Sequence, residues 1–576
     1  MDHSKRATRP SNLIYSVDEK PPVPITFANA AQQLTIVAPV LVYIILVMRG
    51  AGLSEEGVAH AVSITFAVLG IAIIIQGRPG RRIGSGYLIT VGPAAAYIPI
   101  SIAAIKTGGM PLLAGMTMIA GLFEIAFSQV VRRFRAYFPA EISGLCIVLI
   151  GIFIGVLGVR SVFGYDTATM QARASATELA ISGGTLALMI GLNLWGKGRL
   201  RMLCGILGVA CGYLASVVFG AVDPTAVKVL AASPWFALPP WQPELPEIRV
   251  DLFVPFLAAA LTCALRGMGD ISVAQKINDR DWIRPEMNSI RNGIAANGLT
   301  TVLAGFAGTI GANTQSSGIG MSNAAGVTSR WVAYWLGGML IVCSFVPVAS
   351  GVLVAMPRAV IGGVFVFTAS FIVVNGLQII TSRLLDARRT FIVGIALTAS
   401  LGHEIYPALY QKAPTVLQPF MSSGLVVGLV TALALNAIFR IGVKSKAAIT
   451  VMSDMDTHDG IRAFLEQQGA KWGARRDVIE RAIFGTAQSI ESIFEHCNVS
   501  GSITIEAAFD EFNLDIHVTY EGDEFVLPER RPTDEQIRET DEGLRLLAGY
   551  LIQRNADRVR VSRKGERAVI DFHYQH

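Results

Sequence analysis

The sequence predicts an α-helical polytopic membrane protein of about 14 transmembrane helices in 7+7 inverted repeats, with broken third and tenth helices, followed by a C-terminal cytoplasmic α+β domain. Three observations carry this expectation. The 576-residue chain is 52% hydrophobic and only 16% charged, with a mean hydropathy of +0.50, whereas a soluble domain carries roughly 25% charge. Apolar stretches near the ~20 residues that span a bilayer recur up to residue 442. Basic residues fall in alternate short loops, as cytoplasmic loops do.

Residues 1–27 read as a polar cytoplasmic tail; Met1 to Pro24 lacks the apolar core of a signal peptide, and the first apolar helix directs insertion. The transmembrane domain covers 28–442. Its expected spans are 28–48, 57–76, 86–105, 110–131, 138–158, 177–195, 202–221, 251–271, 292–309, 315–328, 331–351, 359–381, 389–408 and 419–440. Alternate loops hold Arg78, Arg81 and Arg82; Arg132, Arg133 and Arg135; Lys197, Arg199 and Arg201; Lys276, Arg280 and Arg284; Arg383, Arg388 and Arg389. This phase predicts an even number of spans with both termini in the cytoplasm. The formal charge of +5 is small for the length and lies in these loops, which fits orientation in a membrane and not nucleic-acid binding. The six cysteines show no metal or disulfide spacing and read as packing residues.

Phe138-Pro139 precedes Gly144 and an apolar run, as Met356-Pro357 precedes Gly362 and another. These motifs open the fifth and twelfth spans. A shift of seven spans reverses direction through the bilayer, so the halves are expected to be inverted repeats. The third span, with Gly92-Pro93, then corresponds to the tenth, with Gly318 and Gly320. Glycine- or proline-broken segments at matching places in two halves point to a transporter's binding site, where half-helix N-termini favour an anion or a carbonyl.

Arg266 and Asp270 lie one helical turn apart in the eighth span. An ionisable residue at membrane depth is costly and reads as a functional site facing the protein interior. Arg266 either meets an anionic ligand or pairs with Asp270 to hold the span together; Asp270 is either a proton site or that counter-ion. Tyr97 either stacks on a planar ring or is a core aromatic with its hydroxyl satisfied. Gln33 either reaches the ligand or bonds between helices. His60 and His403 have no partner cluster and receive no role.

Over about residues 25 to 442 the chain resembles the xanthine/uracil permeases of the nucleobase-ascorbate transporter family. The likeness rests on Gln32-Gln33-Leu34, Gly84-Ser85-Gly86-Tyr87 leading to Gly92-Pro93, Phe138-Pro139 with Gly144, Gly269-Asp270, Asn297-Gly298, Gly320 through Gly326-Val327 to Ser329-Arg330, and Pro357 with Gly362-Gly363. It implies a core and a gate domain, frequent dimerisation, and a substrate site between the broken spans and the eighth. The family's nucleobase-binding glutamate matches Arg266, an aspartate of the ninth span matches Asn297, and the Gln-Asn or Glu-Asn pair of the tenth matches Ser317-Gly318. Asp270 matches a retained aspartate, and Gln33 sits where the family often has His. An arginine only donates and stays charged, so it cannot accept two N–H groups of a nucleobase edge. A unit charge at 4 Å is worth about 4 kcal/mol at an effective dielectric of about 20, which favours an anion.

The expected substrate-binding set is therefore Arg266, Ser316, Ser317, Gly318, Tyr97, Ala96 and Gln33, supported by Asp270, Asn297 and Gln315. No metal or cofactor is expected.

Beyond Lys446 the composition is that of a soluble domain. Residues 443–474 read as a linker and 475–576 as an α+β domain: a helix over 475–497, strands around 503–509 and 514–520, a helix near 541–554, and two strands joined across Lys564-Gly565. This tail resembles the histidine-kinase-like ATPase domains of the anti-sigma-factor type. The Glu and Asn that hold Mg-ATP there match Gln488 and Ser492, and the Asp-x-Gly-x-Gly loop reads Tyr520-Glu521-Gly522-Asp523-Glu524. A non-catalytic role, regulatory or in dimer contact, is the expectation, with nucleotide sensing open.

The expected function is a secondary active transporter, an ion-coupled symporter working by alternating access on purines such as xanthine or urate in anionic form. It is not an enzyme. H+ or Na+ is the expected coupling ion, and the protein is expected as a homodimer in the bacterial inner membrane. The alternatives are a small-anion transporter or exchanger, and a transporter-derived membrane sensor. A primary pump is disfavoured because no Gly-rich Lys-Ser/Thr phosphate loop occurs.

Overall fold

A computed structural model describes residues 9–575 apart from 12, 81, 135–139, 167–170, 197–199, 201–202, 240–244, 281, 283–284, 382–384, 415–416, 422, 440–444, 453–456, 500, 511–512, 529–540 and 566. Phe138-Pro139 and the loop residues Arg81, Arg135, Lys197, Arg199, Arg201, Arg284 and Arg383 lie outside the described residues. The chain divides into Met1–Asn436 and Ala437–His576.

The first unit is helical, and each of the fourteen expected stretches carries a helix or a strand with its helix. The first span is α1 (Val23–Val40) running into α2 (Val42–Gly50) at Pro39, and the second is α3 (Glu55–Gly77). The third opens with β1 (Thr90–Pro93) and a 3-10 turn (Ala95–Tyr97) before α4 (Ile98–Phe134). Next come α5 (Ala140–Val162), α6 (Ala176–Trp195), α7 (Cys204–Val218) and the short α8 (Pro224–Ala232). A two-residue pair of strands, β2 (Tyr165–Asp166) and β3 (Gln171–Ala172), lies between α5 and α6. In the second half, α9 (Phe253–Asn278) and α10 (Met287–Phe306) precede β4 (Ala312–Gln315) and α11 (Ser316–Ala325). They are followed by α12 (Arg330–Ser344), α13 (Pro347–Val354), α14 (Arg358–Ile380), α15 (Ala387–Ile405), α16 (Pro407–Gln411) and α17 (Gly424–Phe439). Among the described residues seven helices are long and apolar enough to cross a membrane, or eight if α12 and α13 form one bent span.

The third and fourth spans are separate helices, as expected: the backbone breaks between them at Gly109 (φ 71°, ψ −165°) beside Pro111, inside the stretch given above as α4. Glycine alone enters that backbone region freely, so the turn survives inside an apolar run. The eleventh span bends by 85° between α12 and α13, where Pro347 cannot continue the preceding helix.

The repeat is written in close helix crossings. On α5, Gly144 lies against the Gly376 carbonyl, Gly151 against Val373, and Gly158 against Phe365 and Val366 of α14. Gly362 of α14 lies in turn against Val162, so the two helices pack antiparallel through small residues. Gly70 and Gly77 of α3 meet Gly337 and Ala333 of α12, while Gly298 and Gly305 of α10 meet Gly121 and Met118 of α4. The same spacing, 70 to 77 and 298 to 305, serves both halves.

The second unit holds a five-stranded antiparallel sheet of order β5-β6-β7-β9-β8. Its elements are β5 (Ser445–Val451), α18 (Thr457–Trp472), α19 (Arg476–His496), β6 (Ile503–Phe509), β7 (Asn513–Glu521), α20 (Asp541–Asn555), β8 (Arg558–Lys564) and β9 (Arg567–Gln575). Alternate residues Leu514, Ile516, Val518 and Tyr520 of β7 join Ile479, Ile483 and Ile490 of α19 in one core. The expected linker 443–474 is a correction: it contains β5, paired along β6, and α18, whose Ile461 and Leu465 enter that core. Short segments flanked by polar residues hid this edge strand and helix from the periodicity argument.

Candidate functional site

β1 and β4 pair antiparallel, Thr90 with Gln315, Val91 with Thr314, Gly92 with Asn313 and Pro93 with Ala312. The two broken spans therefore meet in a ladder whose eight residues are all buried. One half-helix leaves past Pro93 and the other past Gln315, at opposite ends of a ladder about 10 Å long at ~3.3 Å per residue. Each starts with backbone N–H groups that no preceding turn can satisfy, so two partial positive charges face the ladder. Gly318 is glycine because a Cβ there would collide with the Thr90 side chain.

Arg266 and Asp270 project from α9 onto this ladder. Arg266 Nη2 donates to Gln315 Oε1 at 3.3 Å, and its Nε lies 3.8 Å from Asp270 Oδ2. Nε is buried without a hydrogen-bond partner among the described residues. Asp270 accepts from Thr314 Oγ1 at 2.6 Å and from the Ser316 hydroxyl. The eighth span is thus tied to both β4 and the first turn of α11, and Arg266 is paired with Asp270 while keeping donor capacity.

Gln33 of α1 donates through Nε2 to the Gly318 carbonyl at 3.0 Å and to Ser322 Oγ at 2.7 Å. The interhelical reading describes this amide, although Oε1 is buried without a partner among the described residues. Ser317 and Gly320 are exposed on α11 and Ser316 is half-buried, while Ala96 is buried at the start of the other half-helix. The structure brings Arg266, Asp270, Gln315, Ser316 and Gly318 together at one end of the ladder and Gln33 against α11.

Tyr97 and Asn297 belong to a second cluster. Tyr97 is fully buried, its hydroxyl donates to Glu124 Oε1 at 3.3 Å, and its ring lies 6.1 Å from that of Phe256. This is the core-aromatic alternative, with the hydroxyl satisfied. Asn297 Nδ2 donates to Glu124 Oε2 at 2.7 Å, and Asn297 Oδ1 has no partner among the described residues. Glu124 of α4 is itself fully buried. The sequence reading missed it, although a single carboxylate inside an apolar span is the same signal that marks Arg266.

The N-terminal segment closes the far end of α11. Ile14 N donates to the Gly326 carbonyl at 2.7 Å, Thr328 N to Tyr15 O at 3.0 Å and Arg330 N to Val17 O at 3.1 Å. Arg330 also pairs with Asp18 at 2.6 Å, and Lys20 lies over the Trp331 ring.

In the second unit the stretch expected to match a nucleotide loop is tied back to the end of α19: Asp523 N donates to Cys497 O, Asn498 Nδ2 to Asp523 Oδ2, and the Tyr520 hydroxyl to Asp523 O. Ser492 is buried in the core. Burial raises the Tyr520 hydroxyl well above its ordinary value.

The permease family model of the xanthine/uracil type matches residues 25–409. Xanthine permease XanP of Escherichia coli K12 is 28% identical over 450 residues, 75% of this chain and 96% of that protein. Xanthine permease XanQ of the same strain is 26% identical over 77% of this chain and 98% of its own length. Nucleobase transporter PlUacP of Paenibacillus larvae is 24% identical over 72% of this chain and 94% of its own. The murine Solute Carrier 26 family member A9 anion transporter, in an inward-facing state, aligns with a TM-score of 0.52 at 13% identity, over 76% of this chain and 72% of that one. At that identity the likeness concerns the fold alone, and it is the inverted-repeat fold. The family match leaves Ala437–His576 outside it.

Proposed function

The chain belongs to the xanthine/uracil permease family, and from that premise we propose that it is an ion-coupled secondary transporter that moves purines of the xanthine or urate type, in anionic form, by alternating access. It is a multi-pass membrane transporter and not an enzyme. Its expected setting is a bacterial inner membrane with both termini cytoplasmic, as a homodimer.

The observation that carries the substrate reading is Arg266 at the end of the β1–β4 ladder, bonded to Gln315 and next to Asp270. The pair is formally neutral, so the anion preference comes from Arg266's remaining donors together with the two half-helix N-termini. Ser317 and the first-turn amides of α11 supply donors, and Ala96 supplies backbone at the other half-helix. A purine anion presents carbonyl oxygens and a delocalised negative ring to such donors, and a guanidinium recognises planar acceptors through two parallel N–H groups.

The test is uptake of radiolabelled xanthine, urate and uracil into proteoliposomes containing the full chain, beside Arg266→Glu. Saturable uptake of xanthine or urate that is lost in the variant supports the reading. Uptake of inorganic anions alone would replace it with anion exchange, and ligand binding without flux would replace it with a sensor.

A further inference from the structure

Glu124 is a carboxylate buried completely inside an apolar helix, and among the described residues no Lys, Arg or His forms an ion pair with it. A structural buried carboxylate is normally held by a cation, because an isolated charge in low dielectric is expensive and the group neutralises instead. The groups that face it are few. From the 3-10 turn comes the Tyr97 hydroxyl, from α10 the neutral Asn297 amide, and from α9 Cys263, with Arg266 beyond it.

We infer that Glu124 is a proton-binding group of the transport cycle, taking up one proton from water on one side of the membrane and releasing it on the other, with Asn297 and Tyr97 as the positioning residues that serve both of its charge states. This rests on the transporter reading above. The Asn297 amide carries the argument. As an anion, Glu124 accepts from Nδ2, which is the bond present. As an acid it gains an O–H, and Asn297 Oδ1, buried and without a partner among the described residues, is the acceptor that a half-turn of the amide brings round. Tyr97 can donate or accept at its hydroxyl. Glu124 itself therefore finds a partner in either charge state, whereas a carboxylate serving only packing needs a partner for one state.

Each positioning residue has a neighbour that leads to the ladder. The Tyr97 ring covers Gly311, where it would collide with any Cβ, and Ala94 N donates to Gly311 O at 2.8 Å. One turn along α10 from Asn297, Thr301 Oγ1 donates to Ala312 O at 3.4 Å. A change of charge at Glu124 is thereby felt at the first residues of β4, whose last residue holds Arg266. The proton is bound and released as such; no other bond is made or broken.

Two measurements on the full chain test this. Infrared difference spectra of the purified protein between acidic and alkaline pH should contain the carbonyl stretch of a protonated carboxyl that is lost in Glu124→Gln and shifted in Glu124→Asp. In proteoliposomes an acid-outside gradient should drive xanthine severalfold above its equilibrium level for the wild type, should fail to do so for Glu124→Gln, and should recover in part for Glu124→Asp. A carboxyl band unchanged in Glu124→Gln, or gradient-driven accumulation that survives it, overturns the inference. The spectra need no substrate, so a titrating Glu124 band in a protein that moves no xanthine would refute the nucleobase reading and leave the proton site standing.

Discussion

Arg266 and Gln315 meet at 3.3 Å, joining the middle of α9 to the last residue of β4. The contact ties the charged eighth span to the place where the tenth is broken. Removing it by Gln315→Ala should weaken xanthine or urate binding by about 10-fold, the scale of one hydrogen bond to a charged group. Ligand-induced thermal stabilisation reads this, and an unchanged affinity would remove Gln315 from the site.

Asp270 receives two hydroxyls and neighbours Arg266. Asp270→Asn leaves the arginine without a counter-charge, and breaking one side of a buried pair costs about 3–5 kcal/mol. The melting temperature of the variant should fall, and Arg266→Gln combined with Asp270→Asn should be more stable than the sum of the two single changes. Additive losses would show that the two side chains do not act as a pair.

At the α5–α14 crossing a Cβ on Gly144 would lie 2.8 Å from the Gly376 carbonyl. Gly144→Val should destabilise by about 1–3 kcal/mol through overpacking. Gly183→Ala, where a Cβ would meet no described atom within 4 Å, should change the melting temperature little. Equal effects at the two positions would mean that the crossing tolerates separation.

The N-terminal segment covers the amides of Thr328 and Arg330. Deleting residues 1–20 should accelerate hydrogen exchange at these two amides by more than about 10-fold while leaving the α5–α14 core protected, because exposed backbone bonds report local opening. Exchange that does not change would place the protection in α12 itself.

The spans were legible because a bilayer demands long apolar windows, and the pairing of the two breaks followed from Gly92-Pro93 and Gly318 standing at matching places. Arg266 was found by the cost of a charge at depth. Glu124 gives the same signal from the sequence alone, and Asn297 proves to be its partner. The clasp of residues 14–17 on Gly326 to Arg330 is made by main-chain groups, and backbone bonds leave no pattern in side-chain identity. The break between the third and fourth spans at Gly109 was legible because Gly-Met-Pro usually ends a helix.

The β1–β4 ladder also constrains how the protein is made. Strands at membrane depth need every N–H and C=O satisfied within the protein, and these two meet that need along their shared edge only by pairing with each other. When the ribosome has delivered Pro93, its partner Ala312 lies more than two hundred residues ahead in the chain. The first half must therefore wait in the membrane with its break unpaired, an incomplete intermediate that becomes a finished transporter only once the second half arrives.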